Sequence, residues 1–573
     1  MPYSPSEMHA GEDITVIQSL LLKRFTMCRS AHQKLPCVVA RLLAIAGLRC
    51  ALGLGLLPFI VAASFSAEKP DTGGIIVWAV HESMPSFDLH FDNSYIVAQP
   101  IAPLYNGLVT QDVYRDGEIV GDLAEHWEIT ADNTQITFFL HKGVKFHDGS
   151  DFSCADAQYS LDKLADRKRA SPTYATIFEE VYAASTCRDD FTLVVSLKRP
   201  SAVIITMLSG AQAVMMKKGI AESFDRKNSK FLVGTGPFKF KSYTPGVDFQ
   251  AERNPNYWKP RLPFIDGYRA VVMSDLTKIF ASFRARQLTM TGIGRHLERP
   301  EAEILTRDFP DAVTAIGPRA TWDNFVMNAS KPPFHDRRVR KAVALATDRE
   351  KMIAIAVEGW GLLGGFIGPH TPFALPLDEL KQHPQFGPDM EKRRAEAKRF
   401  LAEAGYVNGL EVEYQVRRGP LYERGALSRQ NDLKKVGINL KIVLLDTAAN
   451  RERHGKGDFQ VYTAPSSVAM DDPDLYYARF TCDAPSNFGR YCNPAFDQLF
   501  DQQSQIFDVA KRAEMTRQME RILLEDLPDD RGYYWKSSMG YWNRVKNWPP
   551  LLATTVYNYG KFEQVWCQGS ECM

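Results

Sequence analysis

Beyond about residue 74, apolar and polar positions alternate over short stretches. "GGIIVWAVHESMPSFDLH" opens on an apolar run, and Gly and Pro cut the chain beyond it into short pieces, the pattern of strands joined by turns. Asp116-Gly117, Asp132-Asn133 and Asp148-Gly149 tolerate the positive φ of tight turns and predict hairpins. "VGTGPFKFKSYTPGVDFQAERNPNYW" (233–258) predicts another, with Phe238 and Phe240 on one face, a turn at Pro245-Gly246, and Val247, Phe249 and Ala251 alternating on the return. Ser153 and Asp156 have capping-box spacing ahead of a helix. Later the apolar period lengthens, and helices are expected over 336–359, 389–405 and 508–527, with Gly359 and Gly405 as C-caps. "LEVEYQVR" and "INLKIVLLD" read as strands between them. The chain is therefore α/β.

With 573 residues and 45% apolar composition, it is long enough for two or more packed domains. A net charge of +1 gives no basic excess for nucleic acid. The uncharged run Cys50–Ala67 follows a basic region and ends in small residues, as a secretory signal peptide does. Residues 1–67 are accordingly read as a leader cleaved somewhere in 64–67, with Met27 as an alternative start and an uncleaved membrane anchor as the competing reading. Cys28, Cys37 and Cys50 fall in the leader. The six beyond it suggest disulfides in an exported chain. Six cysteines allow many connectivities; the local pairs Cys482 with Cys492 and Cys567 with Cys572 are preferred, which leaves Cys154 with Cys187. No CxxC is present and no His is near the local pairs, so no metal or other cofactor is expected.

Matches to catalytic motifs fail on context. "GWGLLG" (359–364) satisfies GxGxxG but follows a helical run, where the dinucleotide fingerprint needs a preceding strand. "SLDK" (160–163) satisfies SxxK, but the serine lies in mid-helix without SDN or KTG, and a solvated helical face is the simpler reading. HExxH, P-loop and GxSxG are absent. The chain carries 33 Phe, 22 Tyr and 9 Trp, enough for a large apolar and aromatic cleft besides the core. A binding protein fits this better than an enzyme.

Four blocks in order carry a resemblance. "LAEHWEITADNTQITFFLHKGVKFHDGSDFSCADAQYSLDKL" (123–164), "GTGPFKFKSYTPGVDFQAERNPNYW", "NFVMNASKPPFHDRRVRKAVALATDRE" and "NFGRYCNPAFDQL" resemble segments of the family 5 bacterial extracellular solute-binding proteins, the dipeptide, oligopeptide and nickel receptors of ABC importers. The resemblance covers about 74–560. It implies a three-lobed periplasmic-binding-protein-like fold of type II topology: lobe I from 70–113, 232–318 and 536–573, lobe II from 114–231, and lobe III from 319–535. Lobes I and III would close about a hinge on a small-molecule or peptide ligand, and a monomer would deliver it to an inner-membrane permease. An exported enzyme on the same scaffold, or a chaperone or signalling receptor, are the alternatives.

In peptide-binding members an arginine on a lobe III strand holds the ligand carboxylate, and Arg418 in "YQVRRGPLY" is the best match; Arg417 beside it faces the other way by alternation. Those members hold the amino terminus with an aspartate before a D-P-D-like turn, where this chain has Ala469, with Asp471 as the nearby substitute. This departure makes an opine or another modified solute as good a candidate as a peptide. The resemblance further nominates His81, Glu82 and Ser83 on the lobe I wall, Tyr105 and Asn106 in "LYNGL", Trp322 and Asn324 at the start of lobe III, and Ser466 and Ser467 on the opposite loop. Nickel is disfavoured for want of a dense His or Cys cluster.

Overall fold

The structure is a computed structural model describing residues 69–92, 94–219, 225–229, 232–293, 297–463, 466–551 and 560–573. The expected leader, 1–67, with Cys28, Cys37 and Cys50, lies outside the described residues.

The alternating segments form two separate four-stranded sheets. In the first, Ile75–Val80 runs parallel to Gly267–Val272, which continues antiparallel through Asp248–Arg253 to Phe238–Thr244. The hairpin turns at Gly246 with φ 75°, a left-handed conformation that glycine adopts without strain. Phe238 and Phe249 pack under Tyr268, itself 5.2 Å from Trp78. Val247 departs from the expected alternation and is exposed, because its N–H closes the turn onto the Thr244 carbonyl at 3.0 Å. The apolar face begins at Phe249.

The second sheet joins Ala124–Ile129, Gln135–Leu140, Thr192–Leu197 and Tyr182–Asp189, all antiparallel. Helix Cys154–Ala165 covers it, opened by the Ser153–Asp156 capping box. The SxxK segment is not solvated as expected: Ser160 donates to the Asp156 carbonyl at 2.8 Å, and Lys163 Nζ pairs with Asp88 at 2.6 Å, both inside the fold. Burial lowers the Lys163 pKa, which the Asp88 partner opposes. A lysine desolvated this far needs its carboxylate.

The third sheet has seven strands. Two long ones, Ala312–Met327 and Asp529–Trp542, pair antiparallel, with register shifts between Pro318 and Trp322 and between Trp322 and Asn324. One end of this pair reaches the first sheet through bridges Met290 to Tyr541 and Trp78 to Met290. The other continues through Val461–Thr463 to the parallel pair Leu410–Arg417 and Ile438–Leu445. Phe325, Val343, Tyr414 and Leu433 fill one core beside this sheet, and Trp322, Phe366, Tyr476 and Leu523 another. The second and third units touch: Ala202 N–H bonds the Ser504 carbonyl at 2.8 Å and Thr206 Oγ1 donates to Asp472 at 2.9 Å.

The helix expected over 336–359 is two, Arg337–Ala346 and Arg349–Ala356. Thr347 is extended, Asp348 caps the second helix on the Lys351 N–H, and Thr347 Oγ1 donates to buried Asp530 at 2.8 Å, so side-chain bonds replace the helix at that point. Gly405 follows helix Met390–Glu403 with φ 90°, as a C-terminal glycine should. The three expected disulfides, Cys154–Cys187, Cys482–Cys492 and Cys567–Cys572, are the ones formed.

Candidate ligand-binding site

Two cavities are lined in part by the long strands. The first, of about 220 Å³, takes Asn324 and Val326 from Ala312–Met327, Tyr462 from Val461–Thr463, and Arg417, the last residue of Leu410–Arg417. Helix Thr447–Gly455 adds Asn450, Arg451 and His454; it starts where Asp446 accepts the Ala449 N–H at 2.8 Å. Arg479 enters from the turn Ala478–Phe480, and Asp529 comes from Asp529–Trp542. Asn324 Nδ2 donates to Ser466 Oγ at 2.6 Å, so both belong to one wall. His454 lies 4.5 Å from the Tyr462 ring, and burial, then the charge of Arg451, lowers its pKa below the ordinary histidine value. The imidazole is thus neutral near pH 7, and the cationic groups here are arginines.

The second cavity, of about 520 Å³, is lined by Ile316, Leu362, Leu363, Ile367, Leu375 and Leu377, with Lys536 and Glu520 as charged members. Its lining is aliphatic, and the aromatic side chains Tyr462, Phe480, Phe488 and Tyr491 line the first cavity instead. The GxGxxG match of 359–364 contributes to this apolar wall and to the short strand Gly361–Leu362. Glu520 accepts the Phe366 N–H and the Tyr477 hydroxyl, and burial pushes its carboxyl up to about 7.

Of the residues nominated by sequence, Asn324 and Ser466 come together in the first cavity. Arg418 does not line it. The strand ends at Arg417 with Val416 in the core beneath, so the residue on the opposite, cavity-facing side is Arg417, while Arg418 lies exposed beyond the last strand residue. Arg417 lies 5.3 Å from the Tyr422 ring, Tyr422 stacks on Trp535 at 6.0 Å, and Arg319 lies 5.9 Å from Trp535. His81 is half-buried, and burial, assisted by Arg319 and opposed by Glu82, lowers its pKa. Glu82 is exposed, and Ser83 Oγ accepts the Gly246 N–H at 2.7 Å, tying the hairpin turn to this segment.

Tyr105 and Asn106 are buried in the core. Asn106 is fully buried; Nδ2 donates to both oxygens of Asp122 at 2.9 Å, and Oδ1 accepts from Thr235 and Trp258. Trp322 is also sealed, stacked on Tyr476 at 5.3 Å with Arg531 4.3 Å from its ring. Ser467 is exposed. Asp471 Oδ1 accepts from Tyr476 at 2.9 Å and meets His370 Nε2 at 3.0 Å. Ala469 packs against the core of the second sheet. Sequence reasoning missed Arg451, His454 and Arg479; the available signal was a lone cation in the otherwise apolar "YYARF" (476–480). Among the described residues there is no cluster of three or more His, Cys, Asp or Glu able to hold a metal, and no helix long and apolar enough to cross a membrane.

Separate sheets joined by two long strands, with cavities along those strands, make up a fold shared with solved periplasmic binding proteins. The Helicobacter pylori DppA complex with peptide STSA is 23% identical, with TM-score 0.69, covering 87% of this chain and 99% of that one. AgaA in complex with agropinic acid, from A. tumefaciens R10, is 22% identical, with TM-score 0.70 and coverage of 86% and 99%. The chain belongs to the family described as Bacterial extracellular solute-binding proteins, family 5 Middle, which matches residues 118–488. Among curated relatives, the periplasmic oligopeptide-binding protein OppA of Escherichia coli K12 is 26% identical over 468 residues, 78% of this chain and 83% of the relative. These relatives are named as binding proteins.

Proposed function

We propose that this chain is the periplasmic receptor of an ABC importer, monomeric and without catalysis of its own, for a peptide-like or opine-like solute. The observation that carries this is the pair of long strands whose register breaks between Pro318 and Asn324, opposite Tyr534 and Arg531, beside the arginine-lined cavity. Irregular pairing is where two units joined by strands can bend. It supports a lobe I of 70–113, 232–318 and 536–573, a lobe II of 114–231 and a lobe III of 319–535, with His81, Glu82 and Ser83 on the facing lobe I wall. A solute bridging the walls stabilises the closed form by its differential affinity, and the closed receptor presents it to the permease.

Between the two solute classes, the opine-like one is favoured by Asp471. One of its oxygens is already committed to His370 and Tyr476, and Ala469 has no charge to offer a free amino terminus. Native mass spectrometry of gently released protein, followed by unfolding, tests the reading. A retained small solute is expected, lost in Arg417→Ala and kept in Arg418→Ala. Protein that carries no solute and shows no compaction in X-ray scattering with a small-molecule extract would exclude a receptor role.

A further inference from the structure

Among the described residues the buried guanidinium groups each hold at least one acceptor, although Arg429 and Arg531 also keep sealed N–H groups without one. Arg512 holds Asp472 at 2.7 Å and Asp474 at 2.9 Å, and Arg429 holds Asp323 at 2.8 Å. Arg340 and Arg393 spend their N–H groups on main-chain carbonyls. Arg479, half-buried at the cavity, differs. Its Nε is sealed from solvent without an acceptor, and among the described residues its guanidinium makes no hydrogen bond or ion pair, having only the face of Trp322 at 4.9 Å. Burial, and then the neighbouring charge of Arg531, push its pKa down. A guanidinium partly withdrawn from water, with no hydrogen-bonded acceptor and with Asp529 as its acidic neighbour, favours an anion entering the cavity.

Arg417 and Arg451 line the same cavity and likewise have no ion pair among the described residues. The one carboxylate in the lining is Asp529, which is buried behind, with Arg531 Nε 3.6 Å away, and which burial drives toward its neutral form. Asp529 therefore offsets at most one of the three positive charges, and it adjoins a fourth. A monocarboxylate accepts one bidentate fork and leaves the cavity positive, whereas two negative charges close together match what remains.

Resting on the receptor reading, we propose that the solute end entering this cavity carries two negative charges, as a phosphoryl-type group or a close pair of carboxylates, and that Arg479 is its main contact. A space of about 220 Å³ admits such a head and leaves the rest of the solute toward the facing wall.

The test uses the full mature protein, freed of retained solute by reversible unfolding in urea. Inorganic phosphate, succinate and acetate are titrated at equal ionic strength, with binding read by calorimetry and by thermal shift. Phosphate or succinate is expected to bind at least tenfold more tightly than acetate, and which of the two prevails separates the phosphoryl from the dicarboxylate form. Arg479→Gln should remove that preference while melting, without solute, no lower than wild type. A purely structural arginine would instead lower the melting temperature. If Arg479→Gln does not fold, Arg451→Gln on the exposed helix face should weaken the same anions severalfold. Equal binding of acetate, no binding of any probe, or an unchanged preference in the variants overturns the proposal. A retained solute that is neutral or cationic would sink the dianion while leaving the receptor intact; a protein with no solute and no closure would sink the receptor itself.

Discussion

Glu520 offers a quantitative check on the packing around the larger cavity. It is buried, its two acceptor bonds come from neutral donors, Phe366 N–H and the Tyr477 hydroxyl, and burial lifts its carboxyl from 4.5 to about 7. A carboxyl whose folded pKa exceeds its unfolded one holds its proton more tightly when folded. Its contribution to stability is whole below about 4.5 and declines as pH rises through about 7. At about 1.4 kcal/mol per pH unit, that interval amounts to about 3 kcal/mol. Glu520→Gln keeps an amide oxygen for the Phe366 N–H and an amide N–H for the Tyr477 oxygen, and it does not titrate. The variant should exceed wild type by under about 1 kcal/mol at pH 5 and by about 3 kcal/mol at pH 8. Urea melts of both proteins at the two pH values give the difference, in which the other titrating groups cancel. A gap that stays constant with pH, or that narrows toward pH 8, would refute the assignment of a buried, uncompensated carboxyl.

Loop-closure entropy ranks the disulfides: with separations of 33, 10 and 5 residues, removing Cys154–Cys187, Cys482–Cys492 and Cys567–Cys572 as alanine pairs should cost about 4, 3 and 2 kcal/mol, and denaturant melts in a different order would contradict that. Asn106→Ala should cost about 2–4 kcal/mol by leaving Asp122 short of two bonds, without changing which solute is retained; loss of solute from a protein as stable as wild type would return Asn106 to the site.

Hairpins, capping box, helix glycines and disulfide pairs were legible because each depends on residues close in sequence or on a count of cysteines. Ser153 and Asp156 make the same two bonds in any fold that starts a helix there. Where local pattern failed, a distant partner intervened. Thr347 ends a helix by bonding Asp530, and Lys163 is drawn inside by Asp88, 75 positions away. Family likeness nominated Asn324 and Ser466, which line the cavity, and Arg418, whose neighbour Arg417 lines it instead.

By itself, then, the sequence determined the α/β class, the family and the turns and caps, all properties of short segments and their order. Only the tertiary structure decided that Arg417 rather than Arg418 faces the cavity, that Asn106 and Trp322 are core, and that Arg479, over the Trp322 ring, has no hydrogen bond or ion pair among the described residues. Facing and pairing are set by which strand end meets which helix across hundreds of residues, and a charge counted along the chain does not reveal whether a counter-charge lies within reach.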